Sequence, residues 1–200
     1  MRIILADAEL ELVPDGLKDD VEVKDFLKRL GKENALLDNH LMRHAIRRHF
    51  PDQAERIGFP HIAYIFFRLN EESVLNESTK FEYTIHTKHN VIIEKADLKG
   101  AGTSYTEFAE RVERILEGKS RTMRLIDYLG SKEITKNTVV LHPKGDTDLL
   151  VNDQLNYIIG GFPEGDFSSV LTGLRRCAIY DREMTVPAVV ELLHFRLFQL

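Results

Sequence analysis

Three short stretches in the second half of the chain, Thr138–Leu141, Leu155–Ile159 and Arg176–Ile179, restrict its fold more than anything else in it. All three read as buried strands, and the first two are rich in β-branched residues. Each runs into a loop: His142-Pro143-Lys144-Gly145, then Gly160-Gly161-Phe162-Pro163-Glu164-Gly165, then Tyr180 to Met184. Apolar strands joined by such connections belong in a parallel sheet covered on both faces. Ligands of these sheets bind beyond the carboxyl ends of the strands, where all three loops fall. The expected class is α/β, a mostly parallel sheet flanked by helices.

The middle loop invites comparison with a phosphate-binding P-loop, because Gly160 and Gly165 have its spacing. Chemistry rules that out. A P-loop continues with Lys and then Ser or Thr, and here Asp166 and Phe167 follow. A carboxylate at that place repels polyphosphate. The two leading glycines allow positive φ or close approach of a ligand, and Pro163 fixes the bend after them. A tight strand-to-helix turn without a ligand is the plainer alternative. Taken together, the three loops form a pocket walled mostly by backbone, with Leu141, Ile179 and Met184 as apolar sides and no cluster of cations for a triphosphate. S-adenosylmethionine, a sulfonium bearing adenosine and no phosphate, suits it better than a nucleotide does.

Upstream, Arg2–Ala6 reads as an opening strand, with Asp7 placed to cap a following turn. Val21–Leu30 has helical apolar spacing and Gly31 to close it. The most basic tract, Asp38 to Arg56, holds a short helix with Leu41, Ala45 and Ile46 inward and Arg43, Arg47 and Arg48 outward. Its histidines, His40, His44 and His49, lack metal-ligand spacing with a carboxylate, so no metal is expected. Pro60 starts a strongly apolar helix ending near Ser73. Phe81–Thr87 alternates as a half-exposed strand, and Val91–Glu94 returns beside it. Asp97–Ser104 is a loop carrying Lys99. Helices follow over Tyr105–Leu116, stopped at Gly118, and over Thr122–Leu129. Val186–Leu200 closes the chain, apolar at Val189, Val190, Leu193, Leu197 and Leu200.

Two hundred residues, 43% of them hydrophobic and 30% charged, suit one domain over 1–200 with a small strand-pair insertion near 80–104. No apolar run reaches the length of a membrane span, and no signal peptide is expected before Met1. The single cysteine, Cys177, excludes an internal disulfide and fits a reducing cytoplasm as a packed thiol. A net charge of −5 argues against indiscriminate nucleic-acid binding, so any RNA site must gather its cations locally.

The segments IIGGFPEGDF and CAIYDREMTVPAVVELLHF resemble the SPOUT-class, knotted α/β RNA methyltransferases. More narrowly they are similar to the ribosome-biogenesis family, the nucleolar essential protein family of archaeal type, that methylates a pseudouridine in small-subunit rRNA. Leu5–Pro14 matches that family's opening strand and its continuation. Thr84-Ile85-His86-Thr87 and Asn90–Glu94 match its internal strand pair, so the likeness runs along nearly the whole chain. It implies an S-adenosylmethionine-dependent enzyme acting on the N(1) ring nitrogen of the pseudouridine, a deep trefoil knot at the carboxyl end, and a homodimer. By matching position the cofactor loops comprise Leu141, His142, Gly160, Gly161, Gly165, Ile179, Tyr180, Asp181, Arg182, Glu183 and Met184. Arg56 matches an RNA-contacting arginine, and Arg43, Arg47, Arg48 and Lys99 complete a basic patch. Two departures stand out. Ile57-Gly58 replaces the usual Pro-Asp after Arg56, and Gly100 and Thr103 stand where the family carries loop arginines.

Transfer to the ring nitrogen needs that nitrogen deprotonated and in line with the methyl group, and positioning alone supplies up to about 7–11 kcal/mol. Asp38 and Asp181 are candidate general bases, with neither assigned. The RNA target is a loop with unstacked bases, since A-form duplex hides its base edges. The rival reading is a non-enzymatic rRNA-binding assembly factor that keeps the knot as scaffold.

Overall fold

The computed structural model describes residues 1–77, 80–118, 121–146 and 149–199. In chain order the elements are β1 (Arg2–Ala8), α1 (Asp15–Lys18), α2 (Val21–Leu30), α3 (Arg43–His49), α4 (Pro60–Glu71), β2 (Glu82–Thr87) and β3 (Ile92–Glu94). Then come α5 (Tyr105–Glu117), α6 (Leu125–Ser131), β4 (Thr138–Asp146), β5 (Asn156–Gly160), β6 (Arg175–Cys177) and α7 (Val186–Phe198). Leu200, counted above in the closing helix, lies outside the described residues.

The strands form a six-stranded sheet in the order β3-β2-β1-β5-β4-β6. All neighbours are parallel except β3, which returns antiparallel on β2. The strand pair read from the sequence as an insertion lies in this same sheet, with Ile3 opposite Tyr83. Side chains alternate between two buried faces, as a covered parallel sheet requires. Ile3, Leu5, Tyr83, Ile85, Tyr157 and Ile159 pack with Phe66, Phe67, Phe108 and Val112 of α4 and α5 and with Val190 and Leu193 of α7. On the other face Ile4, Ala6, Val140 and Ile158 meet Leu125, Tyr128 and Leu129 of α6. A separate cluster joins α1, α2 and α3 through Leu17, Val23, Leu27, Ala45, Ile46 and Met42.

Helix ends follow local chemistry. The Asp20 carboxylate accepts the Glu22 N–H at 3.0 Å, and Gly31 closes α2 at φ 64°. Ser104 and Glu107 form a capping box at α5. Three expectations change. The strand β2 is buried on both faces rather than half exposed, because Thr84 and His86 lie under α6 or beside β3 with their polar atoms satisfied: Thr84 Oγ1 is 3.0 Å from the Tyr128 hydroxyl. Leu41 precedes α3 and is 51% exposed, so Ala45 and Ile46 alone carry that helix's buried face. Finally, α6 starts at Leu125, three residues later than its apolar spacing suggests.

Candidate active site

The carboxyl ends of β4, β5 and β6 open on one cavity of about 460 Å³, a size typical of small-molecule sites. Leu141, His142 and Pro143 line it from within β4, because the stretch read from the sequence as a loop over His142–Gly145 continues the strand with a register shift between Leu141 and Asp146; Gly160 ends β5, and Phe162–Phe167 follow it. Ile179, Tyr180 and Arg182–Met184 follow β6, and Thr185–Pro187 with Val189 bring in the start of α7. The three loops therefore converge as their sequence order suggests. Of the cofactor residues named from the sequence, Gly161 and Asp181 stand outside the lining. A further wall comes from α4: His61, Ile62 and Ile65. Sequence reasoning missed it, because an apolar helix face looks the same whether it meets a core or a ligand. The one available signal was the nearness of His61 to the basic tract.

The two adjacent glycines serve different neighbours. At Gly161 a Cβ would stand 2.8 Å from Ala8 Cα, and its N–H donates to the Ala6 carbonyl at 2.7 Å, so this residue is pressed against β1. At Gly160 a Cβ would meet the Phe162 ring at 2.7 Å, beside the cavity. Neither residue uses positive φ; close approach is what each position demands. The left-handed residue of this loop is Gly165, at φ 91°.

Asp7 does not cap a helix. It ends β1 at φ 54° and is almost fully buried, and its carboxylate accepts Ser168 N–H at 2.8 Å and Ser169 N–H at 2.9 Å. The chain leaving the glycine loop is thus tied to the sheet edge. At the cavity, Asp166 sits 3.4 Å from His142 Nε2 and 3.5 Å from Arg176. Burial works to raise its carboxyl, but the Phe167 N–H it accepts, with Arg176 and His142, holds it below the ordinary carboxylate range.

Arg56 is the member of the basic tract that reaches this site. Its guanidinium lies 4.9 Å over the Phe162 ring and donates to the Asp166 carbonyl at 2.9 Å, and it is 3.6 Å from Glu9. The helix arginines are less available than their charge suggests. Arg48 makes a forked pair with Asp20 at 2.8 Å and reaches Glu22 at 3.6 Å, while Arg47 pairs with Glu55 at 2.8 Å. Arg43 and Lys99 are solvent-exposed. Neither candidate base lines the cavity. Asp38 is buried and accepts the Tyr105 hydroxyl at 2.8 Å, and Asp181 is exposed beside Arg182 at 3.5 Å. Among the described residues no helix is long and apolar enough to cross a membrane.

The family profile described as EMG1/NEP1 methyltransferase matches residues 3–195. A protein of Thermoplasma acidophilum called ribosomal RNA small subunit methyltransferase Nep1 is 30% identical, with 94% of this chain and 93% of that one aligned. One of the same name from Methanothrix thermoacetophila is also 30% identical, over 94% and 90%. The crystal structure of Archaeoglobus fulgidus Nep1 bound to S-adenosylhomocysteine superposes with a TM-score of 0.84 at 21% identity, covering 99% of this chain and 97% of that one.

Proposed function

The chain belongs to the EMG1/NEP1 methyltransferase family, and on that footing we propose that it methylates the N(1) ring nitrogen of a pseudouridine in small-subunit rRNA during ribosome biogenesis, as a homodimer with S-adenosylmethionine as donor. The observation that carries this reading is the cavity where three strand-end loops meet. Its walls are backbone and apolar side chains, and the charges among them include the carboxylates of Glu164, Asp166 and Glu183. Such a lining disfavours a polyphosphate and suits a cation that carries an adenosine. Gly160 fits the assignment, since any side chain there would fill space beside the cavity.

S-adenosylmethionine, when bound, supplies an electrophilic methyl group on a positively charged sulfur. The protein's own residues then have two tasks. The loops after β4, β5 and β6 hold the donor and keep water from it, and Arg56 marks the side from which RNA approaches. Phosphate contacts fall to Arg43 and Lys99 first, because Arg47 and Arg48 are already paired. We also infer a trefoil knot at the carboxyl end. The strand β6 lies on the far side of β4 from β5, so the chain crosses β4 to reach its place, and the likeness to the family supports a threaded path there. The dimer is supported by α7, whose Val190 and Leu193 are buried while Phe195 and Phe198 are 60% and 67% exposed. Isologous pairing is the commonest way to cover such a face.

Calorimetry with S-adenosylhomocysteine, followed by transfer of labelled methyl to a pseudouridine-containing rRNA hairpin, tests the activity. Binding and transfer are expected; a protein that binds the hairpin but not S-adenosylhomocysteine would be an assembly factor instead. Sedimentation showing only monomer at micromolar concentration would contradict the dimer.

A further inference from the structure

His61 sits in the first turn of α4, on the cavity wall that the strand-end loops do not supply. Its ring centroid lies 4.8 Å from that of His40 and 5.7 Å from that of Phe59. Nδ1 is shut off from solvent and has no hydrogen-bond partner among the described residues, which leaves Nε2 as the nitrogen open to the cavity. A neutral imidazole has one N–H and one lone pair. A proton on Nδ1 would bury an unpaired donor, and orphaned buried N–H groups are rarer than under-satisfied acceptors. The proton therefore belongs on Nε2. Charging the ring would bring the orphan donor back. Burial accordingly lowers the His61 pKa and the neighbouring His40 lowers it further, against a smaller opposing pull from Asp38.

We propose that His61 is a neutral hydrogen-bond donor to the methyl-acceptor base, giving its Nε2–H to a ring carbonyl oxygen as the reacting ring nitrogen becomes anionic. This rests on the reading above of the chain as a methyltransferase acting on a uracil-type ring. In that reaction the ring nitrogen releases its proton to solvent. It then forms its bond to the methyl carbon as the carbon–sulfur bond breaks, and the bonding pair stays on sulfur. Before the new bond forms, negative charge spreads from the nitrogen onto the adjacent carbonyl oxygen. A donor fixed at that oxygen stabilises the charge in a water-poor site, where such contacts are strongest. Protonation of His61 is disfavoured by its shielded Nδ1, so the residue is suited to donating rather than to removing the proton.

Two observations place this role on the acceptor rather than the donor side. His61 follows Arg56 by five residues on the segment that carries the basic tract, whereas the cofactor loops all follow β4, β5 and β6. The other lining imidazole is already engaged: His142 Nδ1 accepts the Lys144 N–H at 3.1 Å, and its Nε2 faces Asp166.

The test compares wild type, His61→Gln and His61→Phe in single-turnover methylation of a pseudouridine-containing hairpin across a pH series, with S-adenosylhomocysteine affinity measured by calorimetry. His61→Phe, which cannot donate, should be roughly 10²–10³-fold slower, the usual loss for one such donor. His61→Gln keeps a donor and should recover most of the rate. Cofactor affinity and the shape of the pH profile should not change. Should the Phe variant not fold, His61→Leu is a smaller variant without a donor. Three results would overturn the proposal: a wild-type rate without a donor, cofactor affinity falling in step with rate, or an altered acid limb of the pH profile, which would mark a base. A wild type that neither binds S-adenosylhomocysteine nor transfers methyl overturns the activity itself, not this residue's part alone.

Discussion

The Asp7 carboxylate accepts the Ser169 hydroxyl at 2.5 Å, joining the last turn of β1 to the chain that leaves the glycine loop. The same carboxylate takes the Ser168 and Ser169 N–H groups, so three donors depend on one buried side chain. Asp7→Ala would remove the acceptor that all three share, and hydrogen bonds to a charged group contribute about 1.5–3 kcal/mol each, offset here by water because Ser168 is exposed and Ser169 half-buried. Urea denaturation should show a loss of about 2 kcal/mol or more, and calorimetry a weaker S-adenosylhomocysteine affinity as the loop loosens. Full stability in the variant would mean that solvent replaces Asp7 without penalty.

Gly160 and Gly161 are adjacent but should fail differently. A methyl at Gly161 meets backbone at Ala8, which cannot swing away, so Gly161→Ala should cost about 1–3 kcal/mol of stability as an overpacked site does. At Gly160 the obstruction is the Phe162 ring, which can turn, but the space lost lies beside the cavity. Gly160→Val should therefore fold and lose cofactor affinity. Unchanged affinity in a folded Gly160→Val protein would remove the glycine loop from the cofactor site.

The arginines divide by partner. Removing a side chain that touches RNA phosphate flattens the salt dependence of binding by roughly 0.7–0.9 log–log units. Arg43→Ala should do this, whereas Arg48→Ala should mainly destabilise the fold, because it strips a forked partner from the buried Asp20. Arg56→Ala should cut methylation more than it alters the slope, given its contacts with Phe162 and the Asp166 carbonyl. Binding measured from low to high salt separates these outcomes, and identical slopes in all three would place the RNA elsewhere.

His194 supplies a pH test. It is half-buried in α7, with Nε2 3.1 Å from Asn70 Oδ1, and desolvation pushes its pKa down to about 4 from an ordinary 6.5. Above pH 6.5 both the folded and the unfolded chain carry it neutral. As pH falls below that, the unfolded chain takes up the proton and the folded one does not. Stability is thus lost between about 6.5 and 4, by at most roughly 1.4 kcal/mol per pH unit. Glu94 acts later in the acid range. Burial works to raise it, but Lys132, Tyr128 and Arg121 bring its pKa down to about 2, so its contribution disappears only as pH falls from 4.5 towards 2. His194→Gln should lessen the fall in melting temperature below pH 6.5, to which His61 and His86, also lowered by burial, still contribute, and leave the Glu94 window unchanged.

Much of this was legible in the residues. Gly31 marks the end of α2 and Gly118 the end of α5, and both helices lie where those signals and their apolar spacing put them. The loops after β5 and β6 were legible too, because apolar runs and glycine turns are local, whereas His142–Gly145, with its Pro and Gly, read as a loop and is an irregular continuation of β4. Strand order was not: nothing in the alternation of β2 says that Tyr83 lies beside Ile3. Polar residues satisfied inside the core misled in the same way, since Thr84 hydrogen-bonded to Tyr128 gives the same pattern as Thr84 facing water. The α4 wall escaped because Ile62 and Ile65 carry no chemistry of their own. Arg47 and Arg48 read as a nucleic-acid surface, and the pairing of Arg48 with Asp20, 28 residues away, is not visible in the local pattern.

The order of the sheet bears on how the protein is made. The strand β1 is an interior one, and one of its neighbours, β5, is synthesised some 150 residues later, with Ile3 waiting for Tyr157. Until then a growing chain can pair β1 with β2 alone, and one whole edge of β1 stays bare. The cluster of α1, α2 and α3 can form early, but the core of the sheet cannot close without β5, and long-range parallel pairing of this kind is slow and exposed to aggregation. Closure of the sheet in the nascent chain must await synthesis of β5, and a product truncated before Asn156 keeps that edge of β1 bare.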